Sequence, residues 1–437
     1  MNRKNNSTIR TDEGDRISDC KKRDADLTEE TDHNIQHVFI IGAKSIGQYG
    51  GYETFVNHLI GEHENEPFVK YHVACKANGY GCMDETELPS ISDVIKDKDG
   101  NVREFTYRNA HVFKIPCPNL GSAAAVYYDR QALLYSIHYC EEHHIDHPIF
   151  YVLTCRIGLF IDSLVKQIRK VGGKYYLNPD GHEWMRAKWP EPVRKYWKWS
   201  EKRMVEPADL VICDSMNIEE YIRSEYSKNS TTYITYGADV EPSTLADDDP
   251  KFTDWLDSYG LKRNEYYLVV GRSVPENNYE TMIREFMKSK SSRDFALITN
   301  TNGKFLEKLD KELGYSKDPR IRFVGDVYDD ELLKKIRENA YAYLHGHEVG
   351  GTNPSLLEAM ASTDLNLLLE VGFNREVGGD STLYWTKENG TLSRLITEAD
   401  EMTDEKRRAF GIKAKERIKK SYNWRFIGDE YKRIWLG

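Results

Sequence analysis

The sequence predicts an α/β protein built from two Rossmann-like domains, each a parallel, doubly wound sheet flanked by helices. Three observations carry that expectation. The chain has 437 residues, more than one core usually organises, so two domains are expected. Short apolar runs alternate with helical patterns, the arrangement of a parallel sheet. These runs fall into two series, separated by an acidic stretch from Glu241 to Pro250 that ends in Asp-Asp-Asp-Pro.

Residues 1–33 are polar and charged with almost no apolar periodicity, which predicts a disordered arm. The first domain, 34–242, has strand candidates at His37–Gly42, Tyr71–Cys75, Ile149–Leu153, Lys174–Leu177 and Leu210–Cys213. Residues 243–261 are read as the linker. The second domain, 262–418, has strand candidates at Tyr266–Gly271, Phe295–Thr299, Ile321–Val324 and Ala340–Leu344, and a last helical stretch runs from Tyr422 to Trp435.

Composition excludes several classes. A net charge of −10 argues against a nucleic-acid partner. No run of eighteen apolar residues occurs, and residues 1–33 lack the apolar core of a signal peptide, so a cytoplasmic location is expected. The seven cysteines are scattered and never form C-x-x-C, which predicts reduced thiols. Three D-x-D matches, Asp24–Asp26, Asp97–Asp99 and Asp247–Asp249, end no strand. The spacing of His345, His347 and Glu348 fits no zinc pattern, so no metal and no cofactor are expected.

The densest chemistry lies in HGHEVGGTNPSLLEAMAS, from His345 to Ser362. Gly350 and Gly351 let a backbone approach a ligand closely. Thr352 or Asn353 can cap the following helix, and Pro354 suits its first turn. Free N–H groups and the helix dipole at that end would stabilise a diphosphate. Glu358, one turn on, can accept both hydroxyls of a ribose, and His345 can contact the ligand or order the loop. The plainer alternative is a loop-to-helix junction with a solvated glutamate.

This segment resembles the donor-binding motif of family 4 retaining glycosyltransferases, in which two glutamates have seven residues between them. Glu358 matches the second, whereas the first falls on Gly350, with Glu348 two residues early. VGGTNPSLLEAM is similar to the version in bacterial rhamnosyltransferases of capsule and cell-wall synthesis. The loop IGAKSIGQYGGYETF, with Gly50 and Gly51 before a helix expected from Thr54, resembles the N-terminal signature of the same group. The resemblance implies a GT-B fold, two Rossmann-like domains facing across a cleft, with residues 419–437 packing back on the first domain.

Further segments match the same family. NPDGHEWMRAK resembles its N-x-DG-x-EW-x-R-x-KW element through Asp180, Glu183, Trp184, Arg186, Lys188 and Trp189. Asp180, then Glu183, are the choices for binding or activating an acceptor hydroxyl; alternatively Asp180 and Gly181 form a turn and Glu183 pairs with Arg186. Arg272, in GRSVPENN, matches the donor-phosphate loop and can hold a leaving diphosphate. Many relatives carry lysine where Asn277 stands. Val327 and Tyr328 match the base-side loop.

From Trp184 to Arg203, basic residues including Lys195, Lys198 and Lys202 interleave with tryptophan and tyrosine, which suits a membrane interface or an ordinary solvated helix face. The resemblance implies transfer of L-rhamnose from dTDP-L-rhamnose, with retention and without metal, to a polyprenyl-pyrophosphate-linked saccharide. The protein would then be peripheral on the inner face of the cell membrane. Two other readings stay open: a different nucleotide-sugar enzyme, either a hexosyltransferase or a 2-epimerase, and a non-catalytic binding or scaffold protein.

Overall fold

The computed structural model describes residues 35–437 apart from 49 and 300–302, so the expected arm at 1–33 lies outside the described residues. The first domain carries β1 (Gln36–Ile41), β2 (Val69–Lys76), β3 (Ser92–Lys96), β4 (Val102–Tyr107), β5 (Ala110–Ile115), β6 (Ile149–Leu153), β7 (Lys174–Asn178), β8 (Leu210–Cys213) and β9 (Thr231–Tyr233). They form one sheet in the order β3-β4-β5-β2-β1-β6-β7-β8-β9. The second domain carries β10 (Tyr266–Val270), β11 (Asp294–Ile298), β12 (Ile321–Gly325), β13 (Ala342–His345), β14 (Asn366–Leu369) and β15 (Leu383–Trp385), ordered β12-β11-β10-β13-β14-β15.

Every pairing is parallel except β3 with β4 and β4 with β5, which add an antiparallel edge to the first sheet. The alternating direction of side chains along β1 explains its sequence. Val38 and Ile40 enter the core on one face, Phe39 and Ile41 the core on the other. β10 repeats this, with Tyr267 and Val269 on one side and Tyr266 and Leu268 on the other. Burial of such side chains contributes about 1.5–3 kcal/mol each.

Strand order reverses between β1 and β6 in the first sheet and between β10 and β13 in the second. In open α/β sheets, ligands bind in the crevices outside the carboxyl ends of strands at such reversals.

The stretch read as linker is structured. Asp249 caps the helix Pro250–Tyr259, and Phe252, Trp255 and Leu256 of that helix pack with Tyr266, Leu268 and Ile336 of the second domain. Ser243 and Thr244 bind Glu331 on the helix Asp330–Glu338.

The C-terminal helix Trp424–Leu436 returns to the first domain. Trp435 Nε1 donates to the Tyr71 hydroxyl at 2.8 Å, the Tyr151 and Tyr431 hydroxyls meet at 2.9 Å, and His63 Nε2 lies 3.0 Å from the Gly428 carbonyl.

Candidate active site

The reversal in the second sheet brings together the loop after β10 and the loop after β13. Asn277 Nδ2 donates to the Arg272 carbonyl at 2.8 Å, and Asn277 Oδ1 meets His347 Nδ1 at 2.7 Å. With its amide oriented this way, Asn277 Oδ1 accepts a hydrogen bond from His347 Nδ1–H, leaving the Nε2 lone pair of a neutral imidazole toward Gly350. Asn277 therefore ties the two loops together. His345 is buried with Nε2 unpartnered, and desolvation pushes its pKa down to about 3, so the ring is neutral.

Asn353, rather than Thr352, caps the helix Pro354–Ser362 by accepting from the Leu356 N–H. The Thr352 hydroxyl donates instead to the Asp214 carbonyl of the first domain at 2.6 Å. Glu358 is held by Arg337, whose Nη2 lies 2.6 Å from Glu358 Oε2. Val327 and Tyr328 follow β12, the edge strand two places from β10. Tyr328 is 68% exposed there, with its hydroxyl on Asp326.

In the first domain, the helix starts at Gly51, three residues before the expected Thr54. The reason is local. Glu53 folds back to accept from the Lys44 N–H at 2.9 Å, and a Cβ on Gly50 would overlap its carboxylate. Burial lowers the Lys44 pKa, and the cations Arg156, Lys76 and Arg272 add to the effect.

At the end of β7, Asp180 sits at φ 62, a conformation that costs a residue with a Cβ some energy. Its Oδ1 accepts from the Gly181 N–H at 2.8 Å. Burial raises its pKa, with Arg186 opposing and Glu183 adding to the rise. Glu183 differs. Burial alone would raise its pKa, but ion pairs with Arg186 and Lys188 and a hydrogen bond from Trp189 Nε1 hold it below the usual range. Asp180 thus has one backbone donor, whereas Glu183 is committed to three side-chain donors.

The two domains touch through glycine. A Cβ on Gly181 would stand 2.2 Å from the Gly350 Cα, and one on Gly351 would stand 1.8 Å from Asp214 Oδ1. Gly350 itself has φ 135, and a Cβ there would point at His347 Nε2 and Arg186. Position 350 is therefore occupied by backbone pressed against the Asp180–Gly181 turn.

The basic helix Glu191–Val205 is largely neutralised. Lys195 pairs with Glu191, Lys202 with Glu206, and Arg203 with Asp162. Lys198 pairs with Glu225 at 2.9 Å and sits over the rings of Trp184, Tyr221 and Tyr226. Two exposed apolar side chains lie beside it: Trp199, 44% exposed, and Leu159, 64% exposed, adjoin the Gly158–Ser200 contact. Among the described residues no helix is long and apolar enough to cross a membrane.

Two D-x-D matches have structural partners. Asp97 closes the β3–β4 turn by accepting from Asp99 and Asn101, while Asp247 pairs with Lys335 and Asp249 is the cap noted above. Asp24–Asp26 lies outside the described residues.

Residues 35–239 match a family model described as a domain of unknown function, DUF1972. An uncharacterized glycosyltransferase of Methanocaldococcus jannaschii is 26% identical over 246 residues, 55% of this chain and 61% of that protein. The match thus spans less than two thirds of the relative. Sucrose-phosphate synthase from Thermosynechococcus elongatus has the same architecture, with a TM-score of 0.68 at 17% identity over 92% of this chain and 98% of that one. Anabaena HepE in complex with UDP-glucose matches with a TM-score of 0.64 at 13% identity over 92% of this chain and 99% of that one.

The fold is GT-B.

Within this GT-B cleft stand residues that the sequence reading did not include. Arg156, after β6, donates to the Gly42 carbonyl and pairs with buried Asp129, facing Asp180 from the first domain's reversal point. Asp214, after β8, is buried with Oδ1 unpartnered, and desolvation followed by the charges of Asp180 and Glu376 pushes its pKa well up. For His347 the sequence suggests only metal ligation, which its spacing does not fit. Each follows a strand end in the sequence, but nothing in the pattern says which such residues face the GT-B cleft.

Proposed function

We propose that this chain is a retaining glycosyltransferase. The second domain would hold a nucleoside-diphosphate sugar and the first would present the acceptor hydroxyl. The observation that carries this reading is the meeting of the Asp180–Gly181 turn with Gly350, which puts the carboxyl ends of β7, β10 and β13 on one cleft.

In this reading Glu358, oriented by Arg337, binds the ribose hydroxyls. Arg272 and the N-terminus of the helix Pro354–Ser362 take the charge that develops on the diphosphate. The bond from the sugar's anomeric carbon to the phosphate oxygen breaks, with its electron pair passing to the diphosphate. The acceptor oxygen bonds to that carbon on the same face, and its proton passes to the departing phosphate. Asp180 positions the acceptor hydroxyl, and no metal is required.

L-Rhamnose from a dTDP-linked donor is the favoured sugar, on the resemblance of the 345–362 and 41–55 loops. The favoured acceptor is a lipid-linked saccharide met at the inner membrane face, where Trp199 and Leu159 offer apolar contact. A UDP-hexose donor is the second reading, favoured by the UDP-glucose bound in HepE.

The test is thermal shift against dTDP-rhamnose, UDP-glucose, UDP-galactose, UDP-N-acetylglucosamine and GDP-mannose, with and without EDTA. Stabilisation by one donor, unchanged by EDTA, supports metal-free transfer and names the sugar. No shift with any of the five would overturn the reading.

A further inference from the structure

Two carboxylates stand near the position where Gly350 replaces the family's first glutamate, and they differ in what they hold. Glu348 Oε2 accepts from Asn278 Nδ2 at 2.9 Å and from Lys387 Nζ at 2.6 Å, so it fastens the β13 loop to its neighbours. Glu276 is the opposite case. It is 3% exposed, and both carboxylate oxygens are buried without a hydrogen-bond partner.

Leaving a carboxylate buried and unbonded is costly, and such a group persists where function requires it. Glu276 lies in the loop between β10 and the helix Tyr279–Lys288, at the reversal point of the second sheet. Its backbone carbonyl accepts from the Glu348 N–H at 3.1 Å, which seats it against the β13 loop. Its charge reaches Arg186 of the first domain, which also faces Asp180 and lies 4.0 Å from a Cβ built on Gly350. Glu276 is thus on the cleft side of its loop, beside the two glycines through which the domains meet.

We propose that Glu276 binds hydroxyls of the transferred sugar from the loop that faces Gly350. It accepts hydrogen bonds from two hydroxyls through its two oxygens and selects donors whose ring presents adjacent hydroxyls to it. This deepens the nucleotide-sugar reading above and rests on it.

Calorimetry with UDP, dTDP, UDP-glucose and dTDP-rhamnose, on the wild type, Glu276→Gln and Glu348→Gln, tests the assignment. Glu276→Gln should lower affinity for the bound sugar nucleotide at least tenfold and leave affinity for the matching nucleoside diphosphate within twofold. Its melting temperature without ligand should stay level or rise, because a buried carboxyl group without hydrogen-bond partners has been replaced. Glu348→Gln should lower the melting temperature and affect the two ligand types equally. Equal loss of diphosphate and sugar nucleotide in Glu276→Gln, or no loss of either, overturns the assignment while leaving the wild-type reading intact. If Glu276→Gln does not fold, Glu276→Asp serves, with a changed ratio between the two sugar donors expected and an unchanged ratio overturning the assignment. Failure of the wild type to bind any of the four overturns the nucleotide-sugar reading itself.

Discussion

Arg337 and Glu358 form an ion pair across two helices, with Arg337 buried and the Glu358 side chain 43% exposed. The arginine also approaches Ser355 Oγ, so it braces the first turn of the helix that carries the glutamate. Removing either partner should therefore have separate consequences. Glu358→Ala should weaken donor binding about 10–100-fold, roughly 1.4–2.8 kcal/mol, and should also lower the melting temperature, because it leaves the buried Arg337 guanidinium without its carboxylate. Arg337→Ala leaves a polar cavity and should cost about 2 kcal/mol of stability. Calorimetry reads the affinity and thermal melts the stability, and unchanged donor affinity in Glu358→Ala would remove the ribose role.

Placing a glutamate at position 350 should harm this protein. Gly350→Glu forces a side chain onto a backbone at φ 135 and into Arg186 and His347. A loss of about 1–3 kcal/mol in denaturant unfolding is expected, together with lower transfer activity. A gain in activity would mean that the glycine is not required by the domain contact.

Asp214 supplies a pH signature. Its folded pKa is raised, so the folded state keeps a proton that the unfolded state has released above the ordinary aspartate range of about 4. Stability contributed by that proton is full below the unfolded pKa and is lost as pH rises toward the folded pKa. Asp214→Asn should therefore raise the melting temperature at pH 7–8 and change it little at pH 4. An equal shift at both pH values would show that the carboxyl does not titrate with folding.

Much of this geometry was not legible in the sequence, for identifiable reasons. β6 and β8 were readable to the residue because both faces of each strand are buried and the run is wholly apolar. β3 escaped because it is exposed along its whole length, and β9 and β15 because three residues carry no periodicity. Asp180, Arg186 and Glu358 were found from their motifs. The pair of Arg186 with Glu183 was also among the alternatives the sequence offered; Arg337, Asp214 and Glu276 were not, because they come from distant segments and only packing shows which carboxylate is tied and which is left bare.

The basic helix makes a prediction opposite to its composition. Since Lys195, Lys198 and Lys202 all have acidic partners, Trp199→Ala should reduce co-sedimentation with anionic vesicles more than Lys195→Ala does. Lys198→Glu should instead destabilise the fold, because it places a third carboxylate beside Glu201 and Glu225 within three aromatic rings. Greater loss of vesicle binding from Lys195→Ala would restore an electrostatic membrane contact.

The helix Trp424–Leu436 belongs by packing to the domain that the chain left near residue 240. The polypeptide therefore crosses between the lobes twice, and two tethers act as a hinge with two pins. Such a hinge lets the cleft gape and shut but resists twisting. A single protease nick at either crossing would leave the lobes joined, and a fragment ending at residue 242 would bare the Tyr71, Tyr151 and His63 surface, inviting aggregation.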